Sequence, residues 1–198
     1  MNKIGIIILS RYTSKRLPGK ALIEINGNTL IGNIIKNIKD NFPKVECIVA
    51  TSNHISDDII KNYCDKHSTK CYRGELENVA KRFLDCSISF NLDFAIRING
   101  DNFFLDTSLL NQMIKRTQIN DYDFISNVPG RTFPYGMSIE IIKTDFYKSV
   151  YSNLKTDNDK EHVTSWIYRN EGFGHSYFIR NEEFKNLHEF KISIDDID

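Results

Sequence analysis

Lys3-Ile4-Gly5-Ile6-Ile7-Ile8-Leu9, followed at once by Ser10-Arg11-Tyr12-Thr13-Ser14-Lys15-Arg16-Leu17-Pro18-Gly19-Lys20, is the stretch on which the fold turns. The first seven residues are nearly all apolar and β-branched, the pattern of a central parallel strand buried on both faces. The polar, basic, glycine-containing segment after it reads as a loop. Loops that follow parallel strands gather at the carboxyl edge of the sheet, where ligands bind.

Downstream, strand and helix patterns alternate. A short extended piece over 21–25 is closed by the turn signal Asn26-Gly27. Ile31, Ile34, Ile35 and Ile38 then mark one face of a helix. Strands are expected over 47–50, 70–73 and 94–98, and helices over 57–67 and 78–90. Thr107 is placed to cap a further helix that buries Leu109, Leu110, Met113 and Ile114. This alternation predicts an α/β fold, Rossmann-like, with a mostly parallel sheet and helices on both faces. The second half changes character. It reads as strands over 124–126 and 135–143, a helix over 144–153, and one helix over 159–169 with Glu161 and His162 in its first turn. Late strands follow over 177–179 and 190–194. A single domain over 1–198 is expected, with 125–175 a smaller mixed subregion.

Composition sets bounds on function. The 198 residues are 40% hydrophobic with zero net charge, which suits one well-filled core. Neutrality argues against a nucleic-acid or membrane-surface protein, since those draw affinity from a basic excess. No apolar run approaches the ~20 residues of a membrane helix. The run at 4–9 is too short for a secretory core, and no small-residue cleavage site follows, so a cytoplasmic protein is expected. Cys47, Cys64, Cys71 and Cys86 form no C-x-x-C pair and read as reduced core residues.

Phosphate binding must therefore be local, and the first loop concentrates Arg11, Lys15, Arg16 and Lys20 within eleven residues. Gly19 admits close backbone approach and Pro18 stiffens it. The loop is not a Walker A motif. On physics alone a phosphate site and an ordinary basic surface loop are equally compatible with it.

The strand with Arg11-x-x-Ser14-x-Arg16-Leu17-Pro18-Gly19-Lys20 resembles the signature of cytidylyltransferases that activate sugar acids, such as the synthetases of CMP-KDO and CMP-sialic acid. Within that family it is most similar to the spore-coat polysaccharide branch. Ala50-Thr51-Ser52, Arg73-Gly74 with Val79 and Arg82-Phe83, and Arg97-Ile98-Asn99-Gly100-Asp101 match in order. So do Ser126-Asn127-Val128, Arg131-Thr132-Phe133-Pro134-x-Gly136, Glu161-His162-Val163-Thr164 and Ile192-Ser193-Ile194-Asp195.

The resemblance implies a nucleotide-diphospho-sugar transferase-like fold and attack by an acceptor oxygen on the α-phosphate of CTP, with pyrophosphate released. Catalysis would rest on Lys20, Arg11 and Asp101, with Asp101 and Asp195 as Mg²⁺ ligands. The nucleotide would meet Leu9, Ser10, Arg11, Ser14, Arg16, Lys20, Ala50, Thr51, Ser52, Arg73 and Asn99. Candidates for the acceptor are Arg131, Tyr135, Glu140, Glu161 and His162; an Arg suits a sugar-acid carboxylate, and a His could accept the hydroxyl proton. Homodimerisation through an arm from the second half is implied as well.

Three departures from the family pattern bear on the outcome. Asn102-Phe103-Phe104 replaces a small residue and proline after Gly100-Asp101, and Met137-Ser138 stands where branch relatives carry an acid. Asp195 is followed by Asp196-Ile197 in place of threonine-proline. The first two leave the acceptor less determined than the nucleotide. A sugar-1-phosphate nucleotidyltransferase is disfavoured because no glycine pair precedes Arg11. A nucleotide-binding partner protein that has lost catalysis stays open.

Overall fold

A computed structural model of the chain describes residues 2–14, 17–183 and 187–194. In chain order the elements are β1 (Ile4–Leu9), β2 (Glu24–Ile25), β3 (Asn28–Thr29), α1 (Leu30–Asn41), β4 (Glu46–Ser52), α2 (Asp58–Lys66), β5 (Lys70–Gly74) and α3 (Val79–Ser89). Then come β6 (Phe94–Asn99), α4 (Thr107–Ile119), β7 (Phe124–Ser126), β8 (Glu140–Lys143), α5 (Thr144–Tyr151), α6 (Asp157–Glu161), α7 (Ser165–Arg169) and β9 (Ser176–Phe178).

The main sheet runs β5-β4-β1-β6-β8-β7-β9. β1 lies between β4 and β6 and is parallel to both, with Leu9 level with Ala50 and Asn99. β8 is antiparallel to β6 and β7, and β9 returns parallel to β7. The period of two in β1 separates two apolar layers. Ile6 and Ile8 pack with Leu30, Ile31 and Ile34 of α1 and Leu110 and Met113 of α4. Ile7 and Leu9 pack with Val79 and Phe83 of α3 and Tyr147 of α5. Cys47, Cys64 and Cys86 are buried thiols in these layers, as expected.

Several elements differ from the sequence reading, each for a local reason. The 20–22 segment is a 3₁₀ turn, and the extended piece is a two-residue hairpin about Asn26-Gly27, both at positive φ. Asp106, not Thr107, caps α4, its carboxylate accepting from the Leu109 N–H. The strand expected over 135–143 begins only at Glu140. The Asn127 side chain takes the ladder's place before it, donating to the Met137 carbonyl and accepting from the Ile139 N–H. Gly136, at φ 99°, lets the chain pass the backbone of 192–193 where a Cβ would clash. Beyond it, 190–194 forms one bridge, Tyr135 with Lys191, instead of a strand. The helix expected over 159–169 is broken at His162. Val163 turns fully inward there and its carbonyl accepts from the Tyr147 hydroxyl, a geometry a continuous helix could not supply.

Candidate active site

The carboxyl ends of β1 and β6 are zipped together. The Gly100 N–H donates to the Leu9 carbonyl, and a Cβ on Gly100 would press within 2.9 Å of Ser10. Glycine is required at that point, and it brings Asp101 beside the first loop. The loop folds back on Tyr12, whose carbonyl accepts from the N–H groups of Ser14 and Gly19. Asp57, ahead of α2, fixes the loop to the sheet. Its carboxylate accepts from the Tyr12 N–H at 2.7 Å and from the Ser52 N–H and hydroxyl at 2.9 and 2.5 Å. Burial works to raise the Asp57 carboxyl, and these hydrogen bonds outweigh it and hold the group below the usual carboxylate value.

A cavity of about 340 Å³ opens at this edge. The first loop contributes Leu9, Ser10, Arg11, Ser14 and Lys20; β6 and its end contribute Arg97, Asn99, Gly100 and Asp101. Val79 and Arg82 of α3, Glu161 at the end of α6 and His162 just after it complete the wall. Lys20 Nζ donates to Asp101 Oδ2 at 2.7 Å, and Arg11 Nη2 to Glu161 Oε1 at 2.7 Å. α6 holds Glu161 in place through a capping box between Thr156 and Asp159. Burial would raise the Asp159 carboxyl, but Thr156 and Arg169 bind it and hold it at about 2.

Nine residues singled out from the sequence therefore converge here: Leu9, Ser10, Arg11, Ser14, Lys20, Asn99, Asp101, Glu161 and His162. Others do not. Ala50, Thr51 and Ser52 are fully buried beneath the loop. Arg73 braces the β4–α2 connection, donating to the carbonyls of Ser52 and His54 and pairing with Asp58. Glu140 is 1% exposed and lies behind the cavity wall, so it is not available to an acceptor. Its carboxylate is bound by Arg97, by the Thr164 hydroxyl at 2.6 Å and by the Tyr168 hydroxyl at 2.5 Å. Arg131, at φ 30°, lies 3.7 Å over the Tyr135 ring and outside this cavity's lining. Arg16 and Asp195 lie outside the described residues.

The sequence reading missed Asp57, Arg82 and Arg97 as parts of the site. Two of them had a signal. Arg97 is a cation inside the apolar run of a central strand, and Arg82 occupies the inward stripe of α3 with Val79, Phe83 and Cys86. Burial opposes the charge of Arg97, yet the Glu140 carboxylate more than compensates and raises its pKa. Among the described residues no carboxylate is in direct contact with Arg82: burial first, then Arg11, pulls it down to about 10, against the more distant support of Asp57 and Glu161.

Sheet order, the basic loop after the first strand and the cation-lined cavity at the carboxyl edge together form the frame that a nucleotidyltransferase requires. The profile of the cytidylyltransferase family matches residues 5–195, and the chain belongs to that family. It is 29% identical to the spore coat polysaccharide biosynthesis protein SpsF of Bacillus subtilis over 98% of this chain and 82% of that one. An uncharacterized protein of Methanocaldococcus jannaschii is 27% identical over 98% and 79%. A solved cytidylyltransferase from Leptospira borgpetersenii superposes with a TM-score of 0.93 at 26% identity, covering 98% and 82%. The CMP-2-keto-3-deoxy-manno-octonic acid synthetase solved with CTP shares the fold, with a TM-score of 0.68 at 16% identity over 90% of each chain.

Proposed function

We propose that this cytidylyltransferase transfers CMP from CTP to a sugar acid or related acceptor in the synthesis of a surface polysaccharide. The observation that carries the reading is the meeting of Arg11, Lys20, Arg82 and Arg97 with Asp101 in one cavity at the end of β1. A triphosphate needs several cations close together, and the neutral chain concentrates them here. The acceptor hydroxyl oxygen forms a bond to the α-phosphorus while the bond to the β-phosphate bridging oxygen breaks, and pyrophosphate leaves. Lys20 and Arg11 offset the charge that builds on the phosphates. His162, on the cavity wall, would orient the acceptor hydroxyl or take its proton.

Mg²⁺ suits the donor set. The ion takes one or two carboxylates with phosphate oxygens and keeps several waters. The Asp101 carboxylate stands at the wall, whereas no cluster of three or more His, Cys, Asp or Glu residues is found among the described residues. Asp101, with Asp195, would hold the ion. When bound it would polarise the α-phosphate and help deprotonate the acceptor. Lys20, which pairs with Asp101, would then turn to the phosphates. A homodimer working in the cytoplasm completes the reading; no helix among the described residues is long and apolar enough to cross a membrane.

The test is titration calorimetry of CTP with Mg²⁺ beside a pyrophosphate-release assay over a panel of sugar acids. CTP binding with acceptor-dependent release is expected. CTP binding with no turnover on any acceptor would favour a partner protein, and no CTP binding would overturn the proposal.

A further inference from the structure

Helix α3 turns Val79, Arg82, Phe83 and Cys86 inward, and Arg82 alone of these is charged. Arg82 is 2% exposed, yet no carboxylate pairs with it among the described residues. Its Nη1 donates to the carbonyls of Glu75 and Leu76 at 2.6 and 3.3 Å. Its Nε is buried with no acceptor among the described residues. A guanidinium carries five N–H donors, and burying it without a directly paired counter-charge opposes folding. Surface packing does not require that cost, since an apolar residue would fit the stripe. Arg82 and Arg11 line the same cavity and repel one another; the carboxylates of Asp57 and then Glu161 ease the Arg82 charge from a distance, and Glu161 alone of the two is bound to Arg11.

We propose that Arg82 and Arg11 together form an oxyanion seat in the cavity, and that a phosphate or carboxylate group of the ligand displaces Glu161 from Arg11 to occupy it. This rests on the nucleotidyl-transfer reading for its ligand but not for its geometry. Phosphate of the nucleotide and carboxylate of the acceptor share the chemistry, and separate probes tell them apart.

The experiment is calorimetry and thermal shift on the wild-type chain, Arg82→Met, Arg82→Lys and Glu161→Gln. The probes are inorganic pyrophosphate, CTP with Mg²⁺, cytidine and a 2-keto sugar acid. Arg82→Met is expected to weaken pyrophosphate and CTP about tenfold or more while leaving cytidine unchanged. It should not lower the melting midpoint measured without ligand, because a buried cation with no carboxylate in direct contact has been removed. Arg82→Lys should restore part of the affinity. Glu161→Gln should bind pyrophosphate several-fold more tightly because the competing carboxylate is gone, and it carries the test should Arg82→Met fail to fold. Weakening confined to the sugar acid would assign the seat to the acceptor's carboxylate. Equal oxyanion binding by wild type and the variants, or none by wild type, would overturn it. Pyrophosphate binding without CTP binding in the wild type would sink the transfer reading and leave the seat standing.

Discussion

The two edges of the main sheet carry hollows of opposite character. At the amino edge a hollow of about 560 Å³ is lined by Asp93, Asp121, Asp145, Lys143 and Lys148 among others. Its charges pair in water: Lys143 with Asp121 at 2.8 Å and Lys148 with Asp145 at 2.7 Å, the aspartates almost fully exposed. The carboxyl-edge cavity is smaller, about 340 Å³, but its arginines are held largely out of water, with Glu140 behind Arg97 and Arg82 against backbone carbonyls. Exposed pairs are screened and contribute little. Buried charges are costly to keep, and sites of chemistry are where proteins keep them. The comparison teaches that the candidate site is distinguished by its buried charge and not by its volume.

The largest effect should come from breaking the buried pair. Glu140→Ala leaves Arg97 uncompensated and is expected to lower stability by about 3–5 kcal/mol in chemical denaturation. A shift below about 1 kcal/mol would mean that Arg97 finds water through the cavity. Next, Asp101→Asn should lower kcat by about 10²–10³-fold with the fold intact by circular dichroism. Lys20→Ala should lower kcat/KM by about 10–100-fold; an effect of Lys20→Ala confined to the melting midpoint would make the lysine structural.

Asp57→Asn tests the anchor of the loop and should cost about 1–3 kcal/mol near neutral pH. Because the folded Asp57 carboxyl is held low, its contribution is full above the unfolded value of about 3.9. It is lost as pH falls through the folded value, so the gap between wild type and variant should close below about pH 4. A gap that is constant down to pH 2 would show that the charge is not what matters. The smallest effect is expected at the amino edge. Lys143→Ala should leave the CTP requirement and the melting midpoint essentially unchanged, and a clear loss of turnover would erase the contrast between the edges.

Much of the carboxyl-edge machinery was legible because it is local in sequence. Arg11, Ser14 and Lys20 lie in one loop, and Asn99 to Asp101 end one strand. What was hidden depends on contacts between distant segments. Glu140 looked like an acceptor ligand until Thr164 and Tyr168, from across a broken helix, closed around it. Arg73 looked like a nucleotide contact until Asp58 and two carbonyls took its donors. The break at His162 lies in a segment whose periodicity alone reads as one helix; burial of Val163 against Tyr147 is a tertiary event.

The sequence by itself determined the parallel half of the sheet, the loop that follows β1 and the place of Asp101 beside it. Continuous apolar runs and stripes of period 3.6 commit those residues before any packing occurs. Only the tertiary structure decided which arginines face the cavity and which carboxylates neutralise them. A charge carries no periodic signal of its partner, and pairs such as Arg11 with Glu161 or Arg97 with Glu140 meet only when the second half of the chain closes over the first.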